Sequence, residues 1–138
     1  MTNILLVEDD EVDVMNVKRA FKKNQITNPL YVAGNGLEAL VMLRSQGNPP
    51  SIPKQRRLIL LDLNMPKMNG IEFLREVRAD PELKPIPVIV LTTSNEDTDK
   101  VEAYNLNVAG YILKAVTFSN FVQAVATLNN YWALSEIP

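Results

Sequence analysis

The sequence predicts an α/β fold, a doubly wound (βα)5 arrangement with a five-stranded parallel sheet. Three observations predict it. Short unbroken apolar runs recur at residues 4–7, 30–33, 58–61, 88–91 and 111–113, as strands buried on both faces require. Stretches with apolar residues at 3–4 spacing lie between and after them. Turn formers and caps such as Asn35-Gly36, Asp80-Pro81 and Thr117 punctuate the alternation. With 138 residues, the chain fits one domain, 1–138, with room for a real core.

Each element has a local reason. Strand 4–7 follows Met1-Thr2-Asn3 with no basic stretch before it, so no signal peptide is expected. Helix 11–23 places Val14, Val17 and Phe21 on one face and Lys22 and Lys23 at its C-terminal end, where cations suit the dipole. Asp10 and Glu11 at its start read as caps rather than ligands. Asn35-Gly36 starts a second helix whose inner face carries Ala39, Leu40 and Leu43. Residues 46–57 hold three prolines and no periodicity. They read as a surface insertion, with a partner-contact loop as the alternative. Helix 70–79 turns Ile71, Leu74 and Val77 inward and stops at Asp80-Pro81. Helix 96–105 is less apolar and ends near Asn107, a left-handed cap. Thr117 caps a last helix in which Phe118, Phe121, Val122, Val125, Leu128 and Trp132 recur at helical spacing. Right-handed crossovers leave few topologies, and five βα units suit the flavodoxin-like strand order 2-1-3-4-5.

Composition narrows the function. A net charge of −2 argues against nucleic acid as a partner, because phosphate backbones select basic surfaces. The chain has no cysteine and no histidine. That removes disulfides, a thiolate nucleophile, the usual general base and the usual transition-metal ligand. The longest apolar runs are strand-length, so no membrane span is expected, and the expected location is the cytoplasm.

In such a sheet ligands bind outside the carboxyl ends of the strands, where strand order reverses. Strand 1 ends in Glu8, Asp9 and Asp10, strand 3 in Asp62, strand 4 in Thr92 and Thr93, and strand 5 in Lys114. Strands 1 and 3 are neighbours in the order 2-1-3-4-5, so Asp9 and Asp62 should meet. Clustered carboxylates raise one another's pKa, and a hard divalent cation relieves that cost. With only oxygen ligands on offer, Mg²⁺ is expected before zinc. A carboxylate can itself become an acyl phosphate. Lys114 and the metal would then supply charge, and Thr92 with backbone amides would supply hydrogen bonds. Taken singly, each residue has a plainer role: Asp62 as a turn former, Lys114 as a solvated strand end, Thr92 as a β-branched strand residue. The specificity lies in the set.

Four segments carry a resemblance to a known family: Leu-Leu-Val-Glu-Asp-Asp at 5–10, Leu-Leu-Asp-Leu-Asn-Met-Pro-Lys-Met-Asn-Gly at 60–70, Pro-Val-Ile-Val-Leu-Thr-Thr at 87–93 and Gly-Tyr-Ile-Leu-Lys at 110–114. In order and spacing the chain resembles a response regulator receiver domain over essentially its whole length. The resemblance implies Asp62 as phosphoacceptor and, with Asp9, as a direct Mg²⁺ ligand, with Glu8 acting through water and Asn64 through its backbone carbonyl. It implies Thr92, with Thr93 beside it, and Lys114 as phosphoryl-binding groups and Tyr111 as the aromatic switch. It also implies a histidine kinase as donor. The loop 46–57, the segment Val-Leu-Thr-Thr-Ser and the tail 130–138 are similar to the stand-alone response regulators of cyanobacterial phytochromes. That likeness implies a phytochrome-type kinase and a homodimer through the face of the fourth helix, fifth strand and fifth helix, here including Tyr104, Phe118, Phe121 and Trp132, although some of these must serve the core and plain packing is the alternative for the set. One departure stands out. Ala115 follows Lys114 where most receivers have a proline after a cis bond, which leaves the isomer open.

The expectation is therefore a phosphoacceptor switch rather than an enzyme, with at most slow self-dephosphorylation and no attached output domain. Two rivals remain. A small aspartyl-phosphate phosphatase would use the same parts, but its nucleophile is an Asp-x-Asp on the first strand, which this chain lacks. A degenerate receiver acting only as an adaptor is opposed by the intact acid set.

Overall fold

A computed structural model describes residues 1–44, 52–65, 68–93, 97–114 and 117–138. Strands β1 (Asn3–Val7), β2 (Leu30–Ala33), β3 (Arg57–Leu61), β4 (Val88–Thr92) and β5 (Gly110–Leu113) alternate with helices α1 (Glu11–Lys23), α2 (Gly36–Leu43), α3 (Gly70–Ala79), α4 (Asp97–Asn105) and α5 (Phe118–Leu134). The sheet is parallel throughout, in the order β2-β1-β3-β4-β5. This is the expected flavodoxin-like topology. The Lys114–Ala115 bond, residues 46–51 of the proline-rich stretch, Pro66 of the turn after Asp62, and the expected helix start at residue 96 lie outside the described residues.

The period-2 geometry of strands divides the core into two layers. Leu5, Val7, Ile59, Leu61, Val88 and Val90 point to one face, where Ala39, Leu40 and Leu43 of α2, Phe73, Leu74 and Val77 of α3 and Ala103 of α4 cover them. Ile4, Leu6, Leu58, Leu60, Ile89 and Leu91 point to the other, against Val17, Ala20 and Phe21 of α1 and Phe121, Val125, Leu128 and Trp132 of α5. Phe21 and Trp132 meet with ring centroids 5.9 Å apart, and Asn24 Nδ2 donates to the Val122 carbonyl across the same α1–α5 seam.

Caps fix the helix starts. Asp10 accepts from the amides of Val12 and Asp13, Asn35 from Glu38, and Thr117 from Asn120, while Asn69 and Glu72 form a reciprocal capping box. Each such cap is worth about 1 kcal/mol. Asn107 adopts φ 60° after α4, as the sequence predicts.

One expectation needs correction. The stretch before β3 is not uniformly surface loop: Ile52 is buried in the α2–α3–α4 layer, and Arg57, already in β3, is buried and donates to the Leu43 carbonyl. The aromatic set divides between face and core, as expected. Phe121 and Trp132 serve the core, because the same helical spacing that lines up a surface stripe lines up the stripe packed on the sheet. Phe118 is half-buried beneath the Arg19 guanidinium, 4.4 Å from its ring centroid, and Tyr104 remains exposed.

Candidate functional site

The sheet's hydrogen-bond ladder delivers the site residues to one level. Val7 and Leu61 are register partners, and the Asp62 amide donates to the Val7 carbonyl at 3.0 Å. The chain therefore leaves β1 and β3 side by side, carrying Glu8, Asp9 and Asp62. On the other side Thr92 pairs with Leu113, and the Lys114 amide donates to the Thr92 carbonyl at 2.8 Å.

The structure brings Glu8, Asp9 and Asp62 together: one carboxylate oxygen of each lies within 4.8 Å of the others. Glu8 and Asp62 are buried and Asp9 is exposed at the mouth. Thr92 is fully buried beneath them. Thr93 is exposed, and its hydroxyl accepts a long hydrogen bond, 3.4 Å, from Asn64 Nδ2. Tyr111, the register partner of Val90, is half-buried and packs on the α2–α3–α4 layer.

Lys114 reaches over the cluster. Its Nζ donates to Glu8 Oε2 at 2.8 Å and to Asp13 Oδ2 at 2.7 Å, and stands 3.9 Å from Asp62 Oδ1. Burial penalises the ammonium, but the hydrogen bonds it donates to Asp13 and Glu8 and the charges of Asp62 and Glu8 outweigh it and hold its pKa above the ordinary value. Burial pushes the Glu8 carboxyl up to about 7; the hydrogen bond from Lys114 opposes this and the nearby Asp62 charge adds to it.

Asp62 Oδ1 is buried with no hydrogen-bond partner among the described residues. A native carboxylate oxygen left in that state calls for an ion or a ligand. The donor set beside it is all oxygen, two buried carboxylates and one exposed, and suits a hard, partly hydrated divalent cation. The residues present thus fit Mg²⁺, with Glu8, Asp9 and Asp62 as the carboxylate donors.

The sequence reading missed Asp13. Its place in the first turn of α1 already had an explanation, a favourable charge at the helix dipole. The available signal was position: Asp13 lies in the first turn of α1, the turn that follows directly on the strand-end acids Glu8 and Asp9.

Fold and strand-end chemistry together define a receiver domain, and the chain belongs to the response regulator receiver domain family, whose profile matches residues 4–126. Among curated relatives, response regulator Rcp1 of Synechocystis is 39% identical over 129 residues, covering 94% of this chain and 87% of the relative. Among solved structures, the phosphorylated cyanobacterial phytochrome response regulator RcpA superposes with TM-score 0.88 at 36% identity, covering 99% of this chain and 98% of the other. The Mn²⁺-bound form of Rcp1 gives 0.86 at 36% identity, covering 100% and 99%. A probable methanogenesis regulatory protein, FilR2 of Methanothrix harundinacea, is similarly close at 38% identity over 130 residues, covering 94% of this chain and 82% of the relative.

Proposed function

We propose that this chain is a Mg²⁺-dependent phosphoacceptor switch of a two-component system, charged on Asp62 by a histidine kinase. The observation that carries the reading is the Asp62 carboxylate: buried, with Oδ1 unpartnered among the described residues, inside an acid cluster, and 3.9 Å from the Lys114 ammonium. An oxygen of Asp62 bonds to phosphorus as the donor's phosphorus–nitrogen bond breaks, leaving an acyl phosphate on Asp62 and a free imidazole on the donor. Bound Mg²⁺ supplies charge neutralisation between the carboxylates and the phosphoryl oxygens. Asp9, Asp62 and the Asn64 backbone carbonyl would hold it, with Glu8 acting through water, while Lys114 and Thr92 would engage the phosphoryl group. Without the first-strand Asp-x-Asp of the aspartyl-phosphate phosphatases, this reading is acceptance and slow self-hydrolysis rather than turnover of an external substrate.

Similarity to RcpA and Rcp1 supports a phytochrome-type kinase as donor. The output is altered protein contact, including self-association through α4, β5 and α5, where Val101, Tyr104 and Leu113 are exposed. Tyr111 on β5 would relay the change at Thr92 to that face.

The test is intact-mass measurement after incubation with Mg²⁺ and acetyl phosphate. Wild type gains one phosphoryl adduct, and Asp62→Asn gains none. A wild-type protein that stays unmodified, or an adduct that survives Asp62→Asn, overturns the reading. Light scattering with and without the phosphodonor then reads the association state.

A further inference from the structure

We infer that Asp13 is the partner Lys114 gives up when Asp62 carries a phosphoryl group, so that Asp13 is a positioning residue setting how strongly the site holds that group. The inference rests on the proposed phosphoacceptor role of Asp62.

The ammonium has three donors. Two are committed, to Glu8 and to Asp13, and Asp62 Oδ1 at 3.9 Å is beyond hydrogen-bond reach. A phosphoryl group on Asp62 would place new anionic oxygens between that carboxylate and the ammonium. Lys114 has its third donor for them, but Nζ must move closer to use it, and that movement stretches the two bonds it already holds.

The two partners are not equivalent. The Glu8 side chain is 2% exposed, so even with Mg²⁺ neutralising its charge, water has no access to replace the hydrogen bond that Lys114 makes to Oε2. The Asp13 side chain is 32% exposed. It also borders a cavity of about 120 Å³, lined with it by Asn16, Lys114, Thr117 and Phe118 between α1 and the start of α5. Water can take over the oxygens that Lys114 leaves there. Release therefore falls on Asp13, while Glu8 keeps its bond.

A carboxylate that competes with the phosphoryl group for one cation weakens the phosphorylated state. Neutralising it without changing its shape frees Lys114 and removes a negative charge near the phosphoryl oxygens. Both effects act in the same direction.

The experiment is calorimetric titration of the full chain with beryllium trifluoride, a phosphoryl mimic, at saturating Mg²⁺. Glu11→Gln serves as control, because Glu11 sits in the same first turn of α1 with the same charge change. Asp13→Asn is expected to tighten binding by about three- to fivefold, the upper part of the range for one partly exposed ion pair, and Glu11→Gln to change it less than about twofold. A gain in affinity is not produced by damage to the fold. Unchanged or weaker binding by Asp13→Asn overturns the inference alone, and so does equal tightening by Glu11→Gln. A wild type that does not bind the mimic overturns the phosphoacceptor reading and this inference together.

Discussion

Gly70 packs so closely on the backbone of Asp62 that a Cβ there would stand 2.5 Å from the Asp62 carbonyl oxygen and 2.6 Å from Leu63 Cα. The Gly70 amide also donates to the Leu63 carbonyl at 3.0 Å. Gly70 opens α3 with no positive φ, so glycine is needed here for close approach rather than for an unusual backbone conformation. The start of α3 is thereby pressed against the residue that carries the proposed chemistry.

Gly70→Ala should therefore act on stability and site together. Both contacts are backbone or Cα atoms, which cannot swing aside. The expected cost is about 1–3 kcal/mol in urea unfolding, the range for overpacking. Mg²⁺ affinity by calorimetry should fall as well, because the displaced segment carries Asp62. A variant with wild-type stability and wild-type metal binding would show that the turn yields freely.

The strand-end constellation was legible because of how parallel strands are buried. A strand covered on both faces favours apolar residues until the sheet ends, so the apolar runs of β1, β3 and β4 mark where Glu8, Asp62 and Thr92 emerge, and the shorter run of the part-exposed β5 ends at Lys114. Pairing beyond that level was not legible. Spacing says that Lys114 arrives at the acids, not that Asp13 and Glu8 take its protons while Asp62 stands off. Helical periodicity likewise marks Phe121 and Trp132 as a stripe without saying whether the sheet or solvent lies beneath it. Ile52 was hidden among prolines, where a single apolar residue has no period to betray its burial. Asn107 could be read, since asparagine tolerates φ > 0; Arg56, at φ 51°, gave no such signal.

Arg78 should be a stability residue of unusual weight for a half-buried side chain. Its guanidinium donates to four carbonyls, those of Lys84, Ile86, Leu106 and Asn107. It ties the segment before β4 to the turn after α4, and burial lowers its pKa from the ordinary arginine value. Arg78→Ala leaves those acceptors without a cation, at an expected cost of about 2–4 kcal/mol. Arg78→Lys should recover only part of this, because one ammonium cannot span a fork of four carbonyls. Full rescue by lysine in urea unfolding would mean that charge, not geometry, is what Arg78 provides.

Asp62→Asn should stabilise the metal-free fold. Asp62 Oδ1 is buried without a partner among the described residues, and the Asp62 charge presses on Glu8 beside it. Removing that charge relieves both costs, by about 1–2 kcal/mol in chelator. With Mg²⁺ saturating, the wild type gains binding energy that the variant lacks in part, so the advantage should shrink or reverse. Thermal unfolding of both proteins in chelator and in Mg²⁺ reads the crossing. If Asp62→Asn is less stable under both conditions, the charge is already compensated and the argument from the orphaned oxygen fails.

Glu8 should give the metal-free protein a distinctive pH profile. Its folded pKa is raised from 4.5 to about 7, first by burial and further by the charge of Asp62, against the opposing hydrogen bond from Lys114. Between those values the folded state binds more protons than the unfolded state, so this group makes stability fall as pH rises through the window. The slope from one carboxyl is at most about 1.4 kcal/mol per pH unit. Other acids titrate in the opposite sense; Asp80, held low by the Glu82 amide and Arg44, is one. The measurement is therefore the difference between wild type and Glu8→Gln, by urea unfolding in chelator from pH 4.5 to 8. Glu8→Gln should gain on the wild type up to about pH 7 and run parallel to it above. Mg²⁺ competes with the same proton, so its affinity for the wild type should weaken as pH drops below about 7. A difference that does not change with pH would mean that Glu8 is ionised throughout, with Lys114 alone sufficient to hold its charge.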